Sequence, residues 1–368
     1  MIERINLVNF KNHAETPIEL GRLTALIGPN SSGKTNVLQA IRLVDQVISL
    51  LADGKSLNDV PFDAYERYKQ GYFLVFVGSS SIDKDAGWSF AFGTSPLHFA
   101  WSWNGEHEEY SPDEGLIQDR REVFESIEQV LGHTVYFKAF DKNLMAPSYS
   151  ESIPPRVESD GSGIASTVAY FKSYEEKLFS GLLTSLQSIV PSIENIRARP
   201  ARVRIKEKQV FKIDDEVIPH DKEREVMGHE LVFDMTGAKD VPAHSVSEGT
   251  LLALALLTLL WSPDCPNLVL LDDIEQGLHP KAQRELIAQL RKILEQRPEL
   301  QIVLTSHSPY IVDELEPEEV WLLAADDEGI AHARRLSDHP EADEWLKILS
   351  TGEFWDAEGE EWILEHGK

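Results

Sequence analysis

The sequence predicts an α/β fold with a mostly parallel core sheet, an antiparallel β region and an inserted helical lobe. Three observations carry this. From His244 onward, apolar helical stretches alternate with the short apolar runs Leu268 to Leu271 and Ile302 to Thr305, a rhythm that builds parallel sheets with helices packed on them. Near the start, the apolar run Leu23 to Ile27 ends at Gly28, and Val37, Leu38, Ile41, Val44, Val47, Ile48 and Leu51 then recur at the spacing of a helix with one apolar face. From about Gly71 to Tyr110, aromatic and β-branched residues alternate with turn residues, as in an antiparallel region.

Taken in chain order, Ile2 to Phe10 alternates polar and apolar and reads as a strand, with Leu23 to Ile27 as the second strand of the fold. Residues from about Pro112 to Pro191 read as mostly helical, broken at Pro147, Pro154-Pro155 and the loop Glu158 to Gly163, and they lack the heptads of a long coiled-coil arm. Strands around Arg202 to Ile213 and Glu230 to Asp234 return the chain to the core. The expected organisation is one domain in three parts: 1–110 as an N-terminal lobe, 111–240 as a helical and β insert, and 241–368 as a C-terminal lobe.

At 368 residues, 42% hydrophobic and 26% charged, the chain has material for one large core with an inserted lobe. No window holds the roughly 18 to 20 apolar residues of a bilayer span, and the first residues lack a secretory layout, so a cytoplasmic protein with no membrane partner is expected. Cys265 is the only cysteine, which excludes an internal disulfide and a cysteine-based zinc site. His13, His98 and His279 show no metal-ligand spacing, and no transition-metal site is expected. The net charge of −27 disfavours broad adhesion to nucleic acid. The one dense basic segment holds Arg197, Arg199, Arg202, Arg204, Lys206, Lys208 and Lys212. It reads as a solvated strand face, with a phosphate-backbone or acidic-partner contact as the alternative. Trp355 and Trp362 flank an acidic turn that reads as a docked C-terminus, with a partner contact as the alternative.

Four motifs carry chemistry. Gly28-Pro29-Asn30-Ser31-Ser32-Gly33-Lys34-Thr35, followed by Asn36, fits the phosphate-loop pattern in its strand-loop-helix setting. Glycines let backbone N–H groups face phosphate oxygens, Lys34 is expected to reach the β and γ phosphates of ATP, and Thr35 to bind Mg2+. Leu268 to Leu271 delivers Asp272 and Asp273 at a strand's C-terminal end, with Asp272 expected on the Mg2+ side and Asp273 in the place that orients the attacking water. His307, after the next apolar strand, is the candidate γ-phosphate sensor. Ser247, Glu248 and Gly249 open the apolar helix Leu251 to Leu260. This is either a capped helix start or a second anion-binding start that completes the nucleotide site of another copy.

With these motifs in this order, the chain resembles the ABC-type ATPase heads of the SMC, RecF and overcoming-lysogenisation-defect group, often called AAA-family ATPases in bacteria. The resemblance runs from Ile2 to about Val44, including Leu7-Val8-Asn9-Phe10-Lys11-Asn12, and from about Val241 to Leu323. It implies that Ser247, Glu248 and Gly249 match the signature motif, Asp272 the Walker B aspartate, Gly277-Leu278-His279-Pro280 the following loop, and His307 the switch histidine. Asp273 replaces the usual catalytic glutamate, which implies slow hydrolysis, and Glu275 is the other acid able to take that role. The glutamine loop stays unassigned between Gln70 and Gln118. The resemblance further implies an ATP-dependent homodimer or higher oligomer that works with a separately encoded effector, as in stand-alone ATPase subunits of antiphage systems such as Septu. A DNA-engaging repair ATPase similar to RecF is the alternative.

Overall fold

The computed structural model describes residues 1–52, 72–78, 87–94, 97–103, 106–110, 131, 134–138, 141–213 and 216–365. Its strands are β1 (Arg4–Phe10), β2 (His13–Glu19), β3 (Leu23–Ile27), β4 (Tyr72–Gly78), β5 (Gly87–Thr94), β6 (Leu97–Trp103), β7 (Glu106–Tyr110), β8 (Thr134–Phe137), β9 (Ile193–Ile213), β10 (Glu216–Met235), β11 (Ala238–Pro242), β12 (Leu268–Leu271), β13 (Gln301–Ser306), β14 (Val320–Ala325) and β15 (Ala331–Arg335). The helices used below are α1 (Lys34–Ala52), α2 (Asp141–Met145), α3 (Ile164–Tyr174), α4 (Glu176–Ile189), α5 (Glu248–Trp261) and α6 (Pro280–Gln296).

One sheet runs in the order β7-β6-β5-β4-β1-β2-β15-β14-β3-β13-β12-β8. Its centre is parallel, β14 against β3, β3 against β13 and β13 against β12. The strands β1, β2 and β4 to β7 form the antiparallel region. The central strands are mostly apolar because both faces are covered, and every residue of β3, β12 and β13 is buried, Thr24, Gln301, Thr305 and Ser306 included. By contrast β1 alternates, turning Ile5, Leu7 and Phe10 inward. The expected face of α1 is also buried: Val37, Leu38, Ile41, Val44, Val47 and Ile48 all join the core cluster of the sheet. Buried Gln301 ties the chain's start to β13, accepting from the Ile2 N–H at 2.9 Å and donating to the Ile2 and Gly21 carbonyls.

Two compact units emerge. The first takes 1–136, 266–276 and 290–368; the second takes 137–265 and 277–289. This grouping differs from a division at 110 and 240, because α5 falls with the residues before it. An all-apolar helix shows no preferred face, so its sequence does not say which neighbours it will join. In the second unit, β9 and β10 form one long antiparallel hairpin, with β11 on the edge of β10. Four of its basic residues are paired across the ladder: Arg197 with Asp234 and Asp240, Arg199 with Glu230, Arg202 and Arg204 with Glu225. That pairing favours the solvated-face reading.

Two expectations need correction. The start of the fold holds three strands, since β2 was missed. The two short strands expected at 202–213 and 230–234 are the arms of the longer hairpin. Near the C-terminus Trp362 is buried and meets His339 edge-on at 4.8 Å, while Trp355 donates to Glu360, so this segment is docked. Among the described residues, no helix is long and apolar enough to cross a membrane.

Candidate functional site

The phosphate-loop residues sit where β3 ends and α1 begins, at the carboxyl end of the parallel strands. Lys34 turns back into its own loop, and its Nζ donates to the carbonyls of Gly28 at 2.7 Å and Pro29 at 2.8 Å. Burial pushes the lysine's pKa down, while Asp273, Glu275 and Asp272 pull it up. Gly28 has φ +147°, and a Cβ there would lie 2.2 Å from the Leu323 carbonyl oxygen, so only glycine lets the loop press against β14. Ser32 Oγ is buried and has no partner among the described residues. A bare loop lined by an orphaned hydroxyl and a buried ammonium fits a phosphate chain.

The turn between β1 and β2 braces this loop. Asn12 donates to the Ser31 carbonyl and accepts from Asn36 at 2.7 Å, and Lys11 donates to Asn36 and Gln39. Beneath them His13, buried, contacts Gly33 O through Nε2 at 3.1 Å and Thr16 Oγ1 through Nδ1 at 3.0 Å. A carbonyl only accepts, so Nε2 carries the proton and Nδ1 faces the Thr16 hydroxyl, which also lies within donating reach of the Ala331 carbonyl. Burial pushes His13 down to about 4, against the pull of the Gly33 hydrogen bond.

This has a consequence for pH. The unfolded chain binds a proton at His13 between about pH 6.5 and 4 that the folded chain refuses, so this group costs stability as pH falls through that range. Asp45, pushed up to about 7 by burial against its Thr134 hydrogen bond and Arg42, slopes the opposite way, costing stability as pH rises toward 7. Relative to the parent chain, His13→Gln is therefore expected to gain roughly 2 kcal/mol between pH 7 and pH 5, read by urea unfolding at both values. A difference that does not change with pH would contradict a neutral buried His13.

Asp272 lies at the end of β12 and gathers three hydroxyls. Its Oδ1 accepts from Thr35 Oγ1 and Thr305 Oγ1, each at 2.9 Å, and its Oδ2 accepts from Tyr136 Oη at 2.8 Å. Thr305 is fully buried and also accepts the backbone N–H of Asp273 at 2.8 Å, so the end of β13 fixes the end of β12. Thr35 and Asp272, each expected on the Mg2+ side, meet here, and the two hydroxyls that join them, Thr305 and Tyr136, were not singled out. Thr305 stood inside a quoted motif, unassigned, whereas Tyr136 lies on a strand in a stretch read as mostly helical.

Asp273, Glu275 and His307 come together beside it. His307 is mostly exposed, and both its backbone N–H and its ring approach buried Glu275, with Nδ1 at 2.6 Å from Oε1 and N at 2.9 Å. The Nδ1 proton therefore belongs on the Glu275 side, which fixes the ring's orientation. Glu275 Oε2 is buried without a partner among the described residues. Asp273 adopts φ +51°, a left-handed backbone uncommon for a side-chain-bearing residue. One ligand atom from each of the three lies within 4.8 Å of the others, a group able to hold a metal ion that the histidine spacings did not single out. Gln70 and Gln118 lie outside the described residues.

Comparison with known proteins now decides the family. A family model described as "AAA domain, putative AbiEii toxin, Type IV TA system" matches residues 23–313, most of the chain. The chain belongs to this AAA-domain family. The match spans the whole stretch from β3 and the phosphate loop past His307, in agreement with the SMC, RecF and overcoming-lysogenisation-defect resemblance. Among curated proteins, the AAA-domain chain is 37% identical over 73 residues to the DNA replication and repair protein RecF of Magnetococcus marinus, covering 20% of this chain and 17% of that one. It is 33% identical over 73 residues to the Septu protein PtuA of Bacillus thuringiensis, covering 20% and 18%. Each alignment thus spans less than a fifth of the relative's length. A solved SMC head bound to the C-winged helix domain of ScpA shares the fold, with a TM-score of 0.58 at 16% identity over 93% of this chain and 99% of that one.

In this AAA-domain chain, Ser247, Glu248 and Gly249 lie in the second unit, whereas the loop, the acids and His307 lie in the first. Ser247 is exposed and caps α5, its Oγ accepting from the Thr250 N–H and meeting the Thr250 hydroxyl at 2.7 Å. Gly249 is packed backbone to backbone on Gly277, and a Cβ on Gly249 would lie 2.1 Å from the Gly277 carbonyl oxygen. The signature start and the loop after Asp273 therefore require each other's glycines within one copy.

Proposed function

We propose that the chain binds Mg-ATP in the loop around Lys34, hydrolyses it slowly, and uses a second copy to cover the nucleotide. One observation carries the reading: Thr35 and Asp272, 237 residues apart in sequence, meet at 2.9 Å at the carboxyl end of the parallel strands, beside a phosphate loop with its lysine in place. In this reading Gly28, Pro29, Asn30, Ser31, Ser32, Gly33, Lys34, Thr35 and Asn36 hold the phosphates. Thr35 and Asp272 hold Mg2+, which when bound neutralises charge on the phosphate oxygens. Asp273 or Glu275 orients the attacking water, and His307, turned by Glu275, offers Nε2 to the γ-phosphate or that water. A carboxylate one methylene short at position 273 supports slow turnover.

Ser247, Glu248 and Gly249 act in trans on the nucleotide of the other copy, since a helix start presents the positive end of its dipole to an anion. Contacts made only in the closed pair bias the open and closed populations, which makes nucleotide state a switch. The match to Septu PtuA supports an output through a separate effector protein in antiphage defence. The match to RecF supports a DNA-engaging alternative, but the net charge of −27 and the cross-strand pairing of Arg197, Arg199, Arg202 and Arg204 count against it.

The expected result is that Mg-ATP doubles the mass seen by light scattering for the parent chain and leaves Ser247→Arg monomeric with unchanged single-copy ATP affinity. Gly249 variants are a poor substitute, because any side chain there strikes Gly277 first. A parent mass indifferent to nucleotide would end the closing-pair reading.

A further inference from the structure

We infer that Tyr136 is a positioning residue for the cation, holding one oxygen of Asp272 so that the other faces Mg2+. This rests on the Mg-ATP reading above. The two carboxylate oxygens are not equivalent: Oδ1 faces Thr35 and Thr305, and Oδ2 is taken by the Tyr136 hydroxyl. Thr35, assigned above to the cation, meets Oδ1 at 2.9 Å, on the opposite oxygen from the phenol. Oδ1 is therefore the cation-facing oxygen, and Tyr136 anchors the one turned away.

Thr305 and Thr35 both approach Oδ1, whereas the phenol approaches Oδ2. The ring is itself constrained: it is almost fully buried, it comes from β8 beside β12, and the Arg42 guanidinium lies over it at 5.1 Å.

Tyr136→Phe keeps the ring and the Arg42 contact while removing the donor. ATP affinity of purified full-length protein is measured by calorimetry in EDTA and across a Mg2+ series, with thermal melting as the folding control. The expected result is unchanged ATP affinity in EDTA and a half-saturating Mg2+ concentration raised about tenfold, the scale set by one hydrogen bond to a charged group. An unshifted Mg2+ midpoint overturns the inference, and so does an equal loss in EDTA and Mg2+, which would mean a structural role only. A parent chain whose ATP affinity ignores Mg2+ overturns the Mg-ATP reading and takes this inference with it.

Discussion

Lys34→Met is expected to lose ATP affinity by about 10²- to 10⁴-fold, because one ammonium supplies charge-assisted hydrogen bonds to two phosphates, each worth roughly 1.5 to 3 kcal/mol. The geometry makes this loss specific. Nζ is held at the centre of the loop by the Gly28 and Pro29 carbonyls, within the field of Asp272, Asp273 and Glu275, so the cation stands where the phosphate chain must neutralise it. Methionine keeps the buried stem and removes the charge, and relief of the ammonium's desolvation offsets the lost loop hydrogen bonds. A melting temperature within a few degrees of the parent, together with no measurable Mg-ATP heat, is the expected pair of results. Parent-like affinity would place the nucleotide elsewhere and remove the foundation of the proposed function.

The same loop shows why parts of this fold were legible in the sequence and others were not. Where both faces of a strand are covered, as in β3, β12 and β13, apolar runs such as Leu268 to Leu271 and Ile302 to Leu304 form, and polar residues that follow them stand out as site candidates. Asp272 and His307 became candidates for that reason, and Lys34 through the motif around it. In β2, inward positions fall irregularly at His13, Thr16 and Ile18, with Pro17 between them, so no period of two could be read. In the β9–β10 hairpin, core residues occur near the base, at Ile193, Ile196, Leu231, Val232 and Phe233, and cross-strand ion pairs take over farther out. Tyr136 and Thr305 escaped because their value comes from contacts made at Asp272 by strands distant in sequence, a relation that spacing along the chain does not express.

Asp272→Asn is the second large expected effect, with turnover falling on the order of 10³-fold, the scale seen when one preorganised electrostatic group is removed from a transition state. The substitution is nearly isosteric, and the hydroxyls of Thr35, Thr305 and Tyr136 can each rotate to accept where they now donate, so the fold should tolerate the amide. What the site loses is charge. In EDTA, removing a carboxylate beside the phosphates reduces repulsion, so ATP should bind Asp272→Asn at least as tightly as the parent. With Mg2+ present the order should reverse, because the parent gains affinity through the cation and the variant does not. That reversal separates a metal-holding carboxylate from a merely structural one: a structural Asp272 would weaken ATP binding equally with and without Mg2+, and melting would register the damage first.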